Sequence, residues 1–196
     1  MVSADDYARL RFDELGELVA ARTPAPSGGS VAALVLALAA GLVTMAARFS
    51  DRHWEEAPAA AERSEALRLQ AAPLAGEDVA AYAEVLEAGR ATAVDEETRR
   101  RRVEEAKERA ADVPVRIGQL AAEIAELGAA VVRHGNPNLE GDAAAGALLA
   151  ASAAQIASRL VELNLADADP ADARLEQARA FAAAGEAAAR SAVEGR

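Results

Sequence analysis

The sequence predicts an all-α fold: one helical domain over residues 1–196, a bundle with two buried Ala-rich helices at its centre. Three observations carry this. Hydrophobic residues make up 52% of the chain but aromatic ones only 3%, so the core must be built from Ala, Leu and Val. Ala is the best helix former, and small side chains let helices approach closely. Almost no stretch is rich in the β-branched and aromatic residues that favour strands. A length of 196 residues fits a single domain.

The first helix is predicted from Ala4 to Ala21. Ser3 and Asp6 make a capping-box-like start, and Tyr7, Leu10, Leu15, Leu18 and Val19 form an apolar stripe. Thr23-Pro24-Ala25-Pro26-Ser27-Gly28-Gly29-Ser30 then interrupts it. The prolines fix φ and keep the residues before them extended, and Gly28 and Gly29 suit a tight turn. Ser30 is the expected N-cap of helix two, which runs to about Ser50. A polar junction, Asp51-Arg52-His53-Trp54, follows.

A third helical region starts at Pro58, a first-turn proline, and reaches about Gly89, with Pro73 and Gly76 kinking or breaking it. The fourth, Glu96 to about His134, is periodic and carries a kink or break at Pro114. Gly135-Asn136-Pro137-Asn138 stops it sharply. Helix five, Gly141 to Leu163, presents Ala143, Ala144, Ala145, Gly146, Ala147, Ala150 and Ala151, and is the second central helix. Asp169-Pro170 restarts the chain as N-cap and first-turn proline of helix six, which ends near Val193.

The net charge of −11 argues against a nucleic-acid partner, because phosphate binding needs clustered Lys and Arg. The one basic run, Arg99 to Arg102, is followed by Glu104, Glu105 and Glu108 and reads as a solvated face with i,i+4 pairing; its other reading is a hold on an anionic ligand tail. Without cysteine there is no disulfide framework and no thiolate chemistry. Val31 to Ala47 is the membrane candidate, but it is Ala-dominated and short for a bilayer span, as the centre of a soluble bundle would be. Met1 to Asp6 shows no secretory pattern, so a cytoplasmic location with no membrane partner is expected.

Several polar residues are candidates for chemistry. Gly28, Gly29 and Ser30 either form an ordinary capped loop or offer N–H groups to the oxygens of a small molecule. They lack the Gly-Lys-Ser/Thr ending of a P-loop. Asp142, at the entrance of an apolar helix, is a dipole-stabilising carboxylate or a general base and counter-charge for a cation. Asn136 and Asn138 are turn formers or amide contacts to a heterocycle, and Asn164 is a C-cap or a ligand contact. Asp78 and Tyr82 share a helix face at i,i+4, and read best as a surface acid and a boundary tyrosine. His53 and His134, the two histidines, fit no metal-binding pattern, so no metal is expected.

In order and spacing these segments resemble the cyclodeaminase/cyclohydrolase family: the cyclodeaminase domain of formiminotransferase-cyclodeaminase and the stand-alone methenyltetrahydrofolate cyclohydrolases. The resemblance rests on Pro24 to Ser30 before an Ala-rich helix, Val113-Pro114, Gly135-Asn136-Pro137-Asn138 leading to Gly141-Asp142, and Asn164-Leu165, and covers about Leu15 to Phe181. It implies an all-α fold, usually a homodimer, and a one-carbon tetrahydrofolate substrate with no metal or redox cofactor. It also implies Asp142 as the catalytic carboxylate, with Gly28, Gly29, Ser30, Asn136, Asn138 and Asn164 holding the substrate. The chain departs from the family pattern at Ser27, where a glycine stands in the family, at Gly141 for a serine, at Leu160 for an asparagine, and at Asp51 to Trp54 for a lysine-rich segment. Those departures give the alternative expectation, a non-catalytic homologue acting as a folate-binding or assembly module.

Overall fold

The structure, a computed structural model, describes residues 4–195. Among the described residues eight α-helices form: α1 (Phe12–Ala20), α2 (Gly28–Arg48), α3 (Ala57–Ala71), α4 (Leu74–Arg90), α5 (Glu96–Ala110), α6 (Asp112–His134), α7 (Glu140–Asn164) and α8 (Ala173–Glu194). Short 3-10 turns cover Ala4–Arg9 and Pro137–Leu139, and there is no strand among the described residues.

Most predicted breaks are present within a few residues of where the sequence alone puts them; Gly76, expected with Pro73 to kink or break the third helical region, is instead a buried residue in the first turn of α4. The expected first helix divides at Leu10 and Arg11, leaving a 3-10 turn before α1; the expected start at Ser3 lies outside the described residues. Pro73 separates α3 from α4 at the N-cap of the latter. The break expected at Pro114 falls at Ala111 instead, so Pro114 sits in the first turn of α6, where its missing N–H leaves no intrahelical bond unmade. Asp172, not Asp169, caps α8, accepting the Arg174 N–H at 2.9 Å. Asp169 instead closes a local turn onto the Ala171 N–H.

At the centre α2 packs on α3 and α7, while α6, α7 and α8 pack on one another. Alanine makes this possible. Ala39, Ala40, Ala46 and Ala47 of α2 and Ala143, Ala147, Ala150 and Ala154 of α7 are buried. Where the two helices meet, a Cβ on Gly146 would lie 2.7 Å from Val43 Cγ2 and 3.0 Å from the Ala39 carbonyl oxygen. Only glycine permits that approach. Thr44 of α2 satisfies its hydroxyl on the Ala40 carbonyl at 2.7 Å and meets Ser64 of α3 at 2.9 Å, so this buried polar pair is bonded.

Helices α2 and α7 run antiparallel. Gly146, near the start of α7, lies beside Ala39, Leu42 and Val43 in the C-terminal half of α2, and the turn before α7 is bonded to the end of α2. Gly28–Arg48 and Pro137–Asn164 are both long and apolar enough to cross a membrane, so the second joins the Val31 to Ala47 candidate. About half of each is buried inside the bundle.

Neither helix is wholly covered. Leu38 is 65% exposed on α2, and Leu149 and Ile156 are exposed on α7. Leu34, Leu38, Leu42 and Met45 follow one side of α2 at helical spacing, as Ala145, Leu149, Ser152 and Ile156 do on α7. These flank the Leu42–Gly146 contact and form an uncharged open face.

Candidate active site

The segment before α2 is built differently from the sequence expectation. Ser27, not Ser30, is the N-cap, with φ −114° and ψ −172°, and Ser30 occupies the third helical position. The two serines form a capping box, the Ser27 N–H donating to Ser30 Oγ at 3.4 Å. Gly28 and Gly29 are the first two residues of α2 rather than a tight turn, and neither has positive φ. Ser27 in a family glycine position therefore meets no backbone obstacle.

Asp78, in the first turns of α4, closes over this helix start. Ser27 Oγ donates to Asp78 Oδ2 at 3.0 Å and Ser30 Oγ donates to the same oxygen at 2.8 Å. A Cβ on Gly29 would lie 2.1 Å from Asp78 Oδ1, so the glycine is needed for close approach rather than for a turn. Asp78 Oδ1 makes no hydrogen bond and the carboxylate no ion pair among the described residues. Ser30 is fully buried and Asp78 half-buried. A carboxylate held by two hydroxyls, with one oxygen free and no cation beside it, is suited to neutralise a cationic ligand or accept a proton. From sequence Asp78 reads as a surface acid, because nothing local to Asp78 and Tyr82 signals a partner 48 residues away.

The other predicted turn lies elsewhere. The Asn136 N–H donates to Ser50 Oγ at 2.9 Å, and Asn136 Nδ2 donates to the Phe49 carbonyl at 3.1 Å, tying this turn to the end of α2. Asn136 Oδ1 also accepts the Asn138 N–H at 3.0 Å. Asn136 is thus engaged in the fold, while the exposed Asn138 leaves its side-chain amide free. Asp142, half-buried in the first turn of α7, makes no hydrogen bond or ion pair among the described residues. His134 stacks near Trp54 at this end, with ring centroids 5.8 Å apart.

The predicted site residues therefore divide between the two ends of α2, a helix of 21 residues and about 30 Å long. Gly28, Gly29 and Ser30 stand at one end, and the antiparallel course of α7 brings Asn164 to that same end. Asn136, Asn138 and Asp142 stand at the other. The chain by itself does not bring Ser30 and Asp142 together. Among the described residues no three His, Asp or Glu side chains gather as a metal would require. The basic run pairs along its own helix, Arg100 with Glu104 at 3.6 Å and Arg101 with Glu105 at 3.8 Å.

Comparison with known proteins agrees with this architecture. The formiminotransferase-cyclodeaminase family model matches residues 11–190. A methenyltetrahydrofolate cyclohydrolase of Methylorubrum extorquens is 31% identical over 155 residues, 74% of each chain. The crystal structure of formiminotetrahydrofolate cyclodeaminase from Thermotoga maritima superposes with a TM-score of 0.84 at 26% identity, over 95% of both chains. By family match and by fold, the chain is a member of the formiminotransferase-cyclodeaminase family.

Proposed function

We propose that this protein works on the carbon bridging N5 and N10 of tetrahydrofolate, as a methenyltetrahydrofolate cyclohydrolase or a formiminotetrahydrofolate cyclodeaminase. The names of its relatives support the substrate. The observation that carries the chemistry is Asp78, bonded to Ser27 and Ser30 and free of any ion pair. In the cyclohydrolase direction, water adds to the cationic methenyl carbon, a carboxylate takes the proton, and one C–N bond breaks to leave formyl-tetrahydrofolate. In the cyclodeaminase direction, N10 attacks the formimino carbon and ammonia departs as the ring closes. Both need a carboxylate near a delocalised cation and a route for a proton; neither needs a redox cofactor. The cysteine-free, acidic chain fits a cytoplasmic enzyme.

The same reading makes the protein a homodimer. A two-fold axis perpendicular to α2 near Leu38 would pair the uncharged α2–α7 faces of two copies. It would also bring the Asn136, Asn138 and Asp142 end of one subunit beside the Asp78 end of the other. A self-complementary face is what two-fold association requires, and an uncharged one avoids the repulsion of two chains of charge −11. Asp142, assigned to catalysis from the sequence, then joins the site across the interface.

The reading is tested by following loss of methenyl-tetrahydrofolate absorbance, and ammonia release from formimino-tetrahydrofolate, with purified protein. A rate on one of the two well above background supports it, and background rates on both refute it. The competing reading, a non-catalytic homologue, draws on Gly141 and Leu160, which replace polar family residues. Folate binding without turnover would select it.

A further inference from the structure

A groove of about 550 Å³ runs along α3 beside the C-terminal end of α2, at the opposite end of α2 from Asp78 of the same chain. Its floor is apolar and small: Ala47, Ala61 and Ala66, with Leu69 and Pro58 beyond them. These side chains are short, and α2 and α3 are tied together beside them by the Thr44–Ser64 pair. Arg48, Asp51, Glu62 and Glu65 stand on the rim. Glu65 is engaged, accepting two hydrogen bonds from Arg68 at 2.7 and 2.8 Å. Asp51 and Glu62 make no hydrogen bond or ion pair among the described residues, and Arg48 makes no hydrogen bond but its charge helps to lower the Glu65 carboxyl. Glu62, Ala66 and Leu69 follow one face of α3 at helical spacing, so a free carboxylate stands at the edge of the apolar floor.

We propose that this groove holds a flat heterocycle with two adjacent N–H donors on one edge, namely the 2-amino-4-oxopyrimidine edge of a pterin, with Glu62 as its partner. Two parallel N–H donors match the two oxygens of a carboxylate in one plane, as an arginine fork does. The alanine floor takes the ring face, and the volume is in the range of small-molecule sites. Arg48 supplies the donor that the carbonyl edge of the same ring needs, and Asp51 closes the groove from the turn. The choice of a pterin over other heterocycles of this kind rests on the folate reading given above. In the two-fold dimer this groove belongs to the end of the subunit that meets the partner's Asp78.

Trp54, the single tryptophan, lies three residues in sequence from Asp51, which lines the groove. Titration of the purified protein with 6-hydroxymethylpterin should quench its fluorescence, because pterins absorb where tryptophan emits. Glu62→Gln, which offers one acceptor and a clashing donor, should weaken binding by about tenfold or more. Glu55→Gln, the same charge change outside the groove, should leave it unaltered, and Asp78→Asn should leave it unaltered while lowering turnover. Equal affinity in wild type and Glu62→Gln, or equal loss in Glu62→Gln and Glu55→Gln, overturns the proposal. So does a groove covered by a second copy, seen as a Glu62→Gln protein whose sedimentation changes while its pterin affinity does not. Glu62-dependent pterin binding without turnover would remove the enzymatic reading and leave this one. Turnover with no Glu62-dependent binding would do the reverse.

Discussion

Ser30 and Asp78, 48 residues apart in the chain, share a 2.8 Å hydrogen bond over the start of α2. Ser27 donates to the same carboxylate oxygen. The bond joins two helices and, at the same time, fixes a carboxylate with one oxygen unoccupied. Asp78→Asn keeps an acceptor for both serines but removes the charge. Turnover should fall by about 100- to 10,000-fold, the usual weight of a general base, while the unfolding free energy changes by about 1 kcal/mol or less. Steady-state kinetics and urea denaturation on one preparation measure both. Parallel loss of stability and activity would make Asp78 a purely structural tie.

Gly28 and Gly29 are neighbours with opposite tolerances. A Cβ at Gly29 meets Asp78 Oδ1 at 2.1 Å, whereas one at Gly28 meets nothing within 4 Å. Gly29→Ala should destabilise the protein by about 1–3 kcal/mol and depress turnover with it. Gly28→Ala, at an exposed helical position, should be neutral or stabilise by up to about 1 kcal/mol. Denaturation midpoints of the two variants decide this.

Asn136 holds the far end of α2 through Phe49 and organises its own turn through Asn138. Asn136→Ala removes both side-chain bonds and should cost about 2 kcal/mol, read as a lowered urea midpoint. Because the Ser50 contact is made by the Asn136 backbone, it survives the change.

Acid should act on the last helix through Asp172. Hydrogen bonds from the Arg174 side chain and backbone lower its carboxyl from 3.8 to about 2. A folded-state value below the unfolded one means the stabilisation is complete above pH 3.8 and is lost as pH falls through about 2. Asp172→Asn should therefore melt below wild type at pH 7, and the gap should close between those two values. Thermal melts across that range check the sign, and a gap constant with pH would exclude a role for the charge.

Leu38 marks the centre of the proposed two-fold face and is 65% exposed. Leu38→Glu should place two like charges across that face, yield folded monomers and abolish turnover together with dimerisation. Sedimentation and activity across a dilution series measure the two losses. An active monomer would place the whole site within one chain.

The helical class and most of the breaks, to within a few residues, were legible in the sequence. Alanine content, Pro73, Gly135 and the small-residue face of α7 act locally or repeat along one helix, and so leave a pattern in the chain. The site was only half legible. Gly28, Gly29 and Ser30 drew attention correctly to a helix start, but their spacing gave no hint that Ser27 caps it or that Gly29 is small to admit Asp78. Those facts depend on α4 crossing the N-terminus of α2, a contact between distant segments with no periodic trace. The same holds for the two turns. Motifs of one family pattern read as one site, yet these two stand at opposite ends of a helix of 21 residues, and a straight helix carries its ends about 30 Å apart. Sequence determined which residues form helices and which polar groups mark their ends; only the packing decided that Asp78 meets Ser30, and that Asp142 does not.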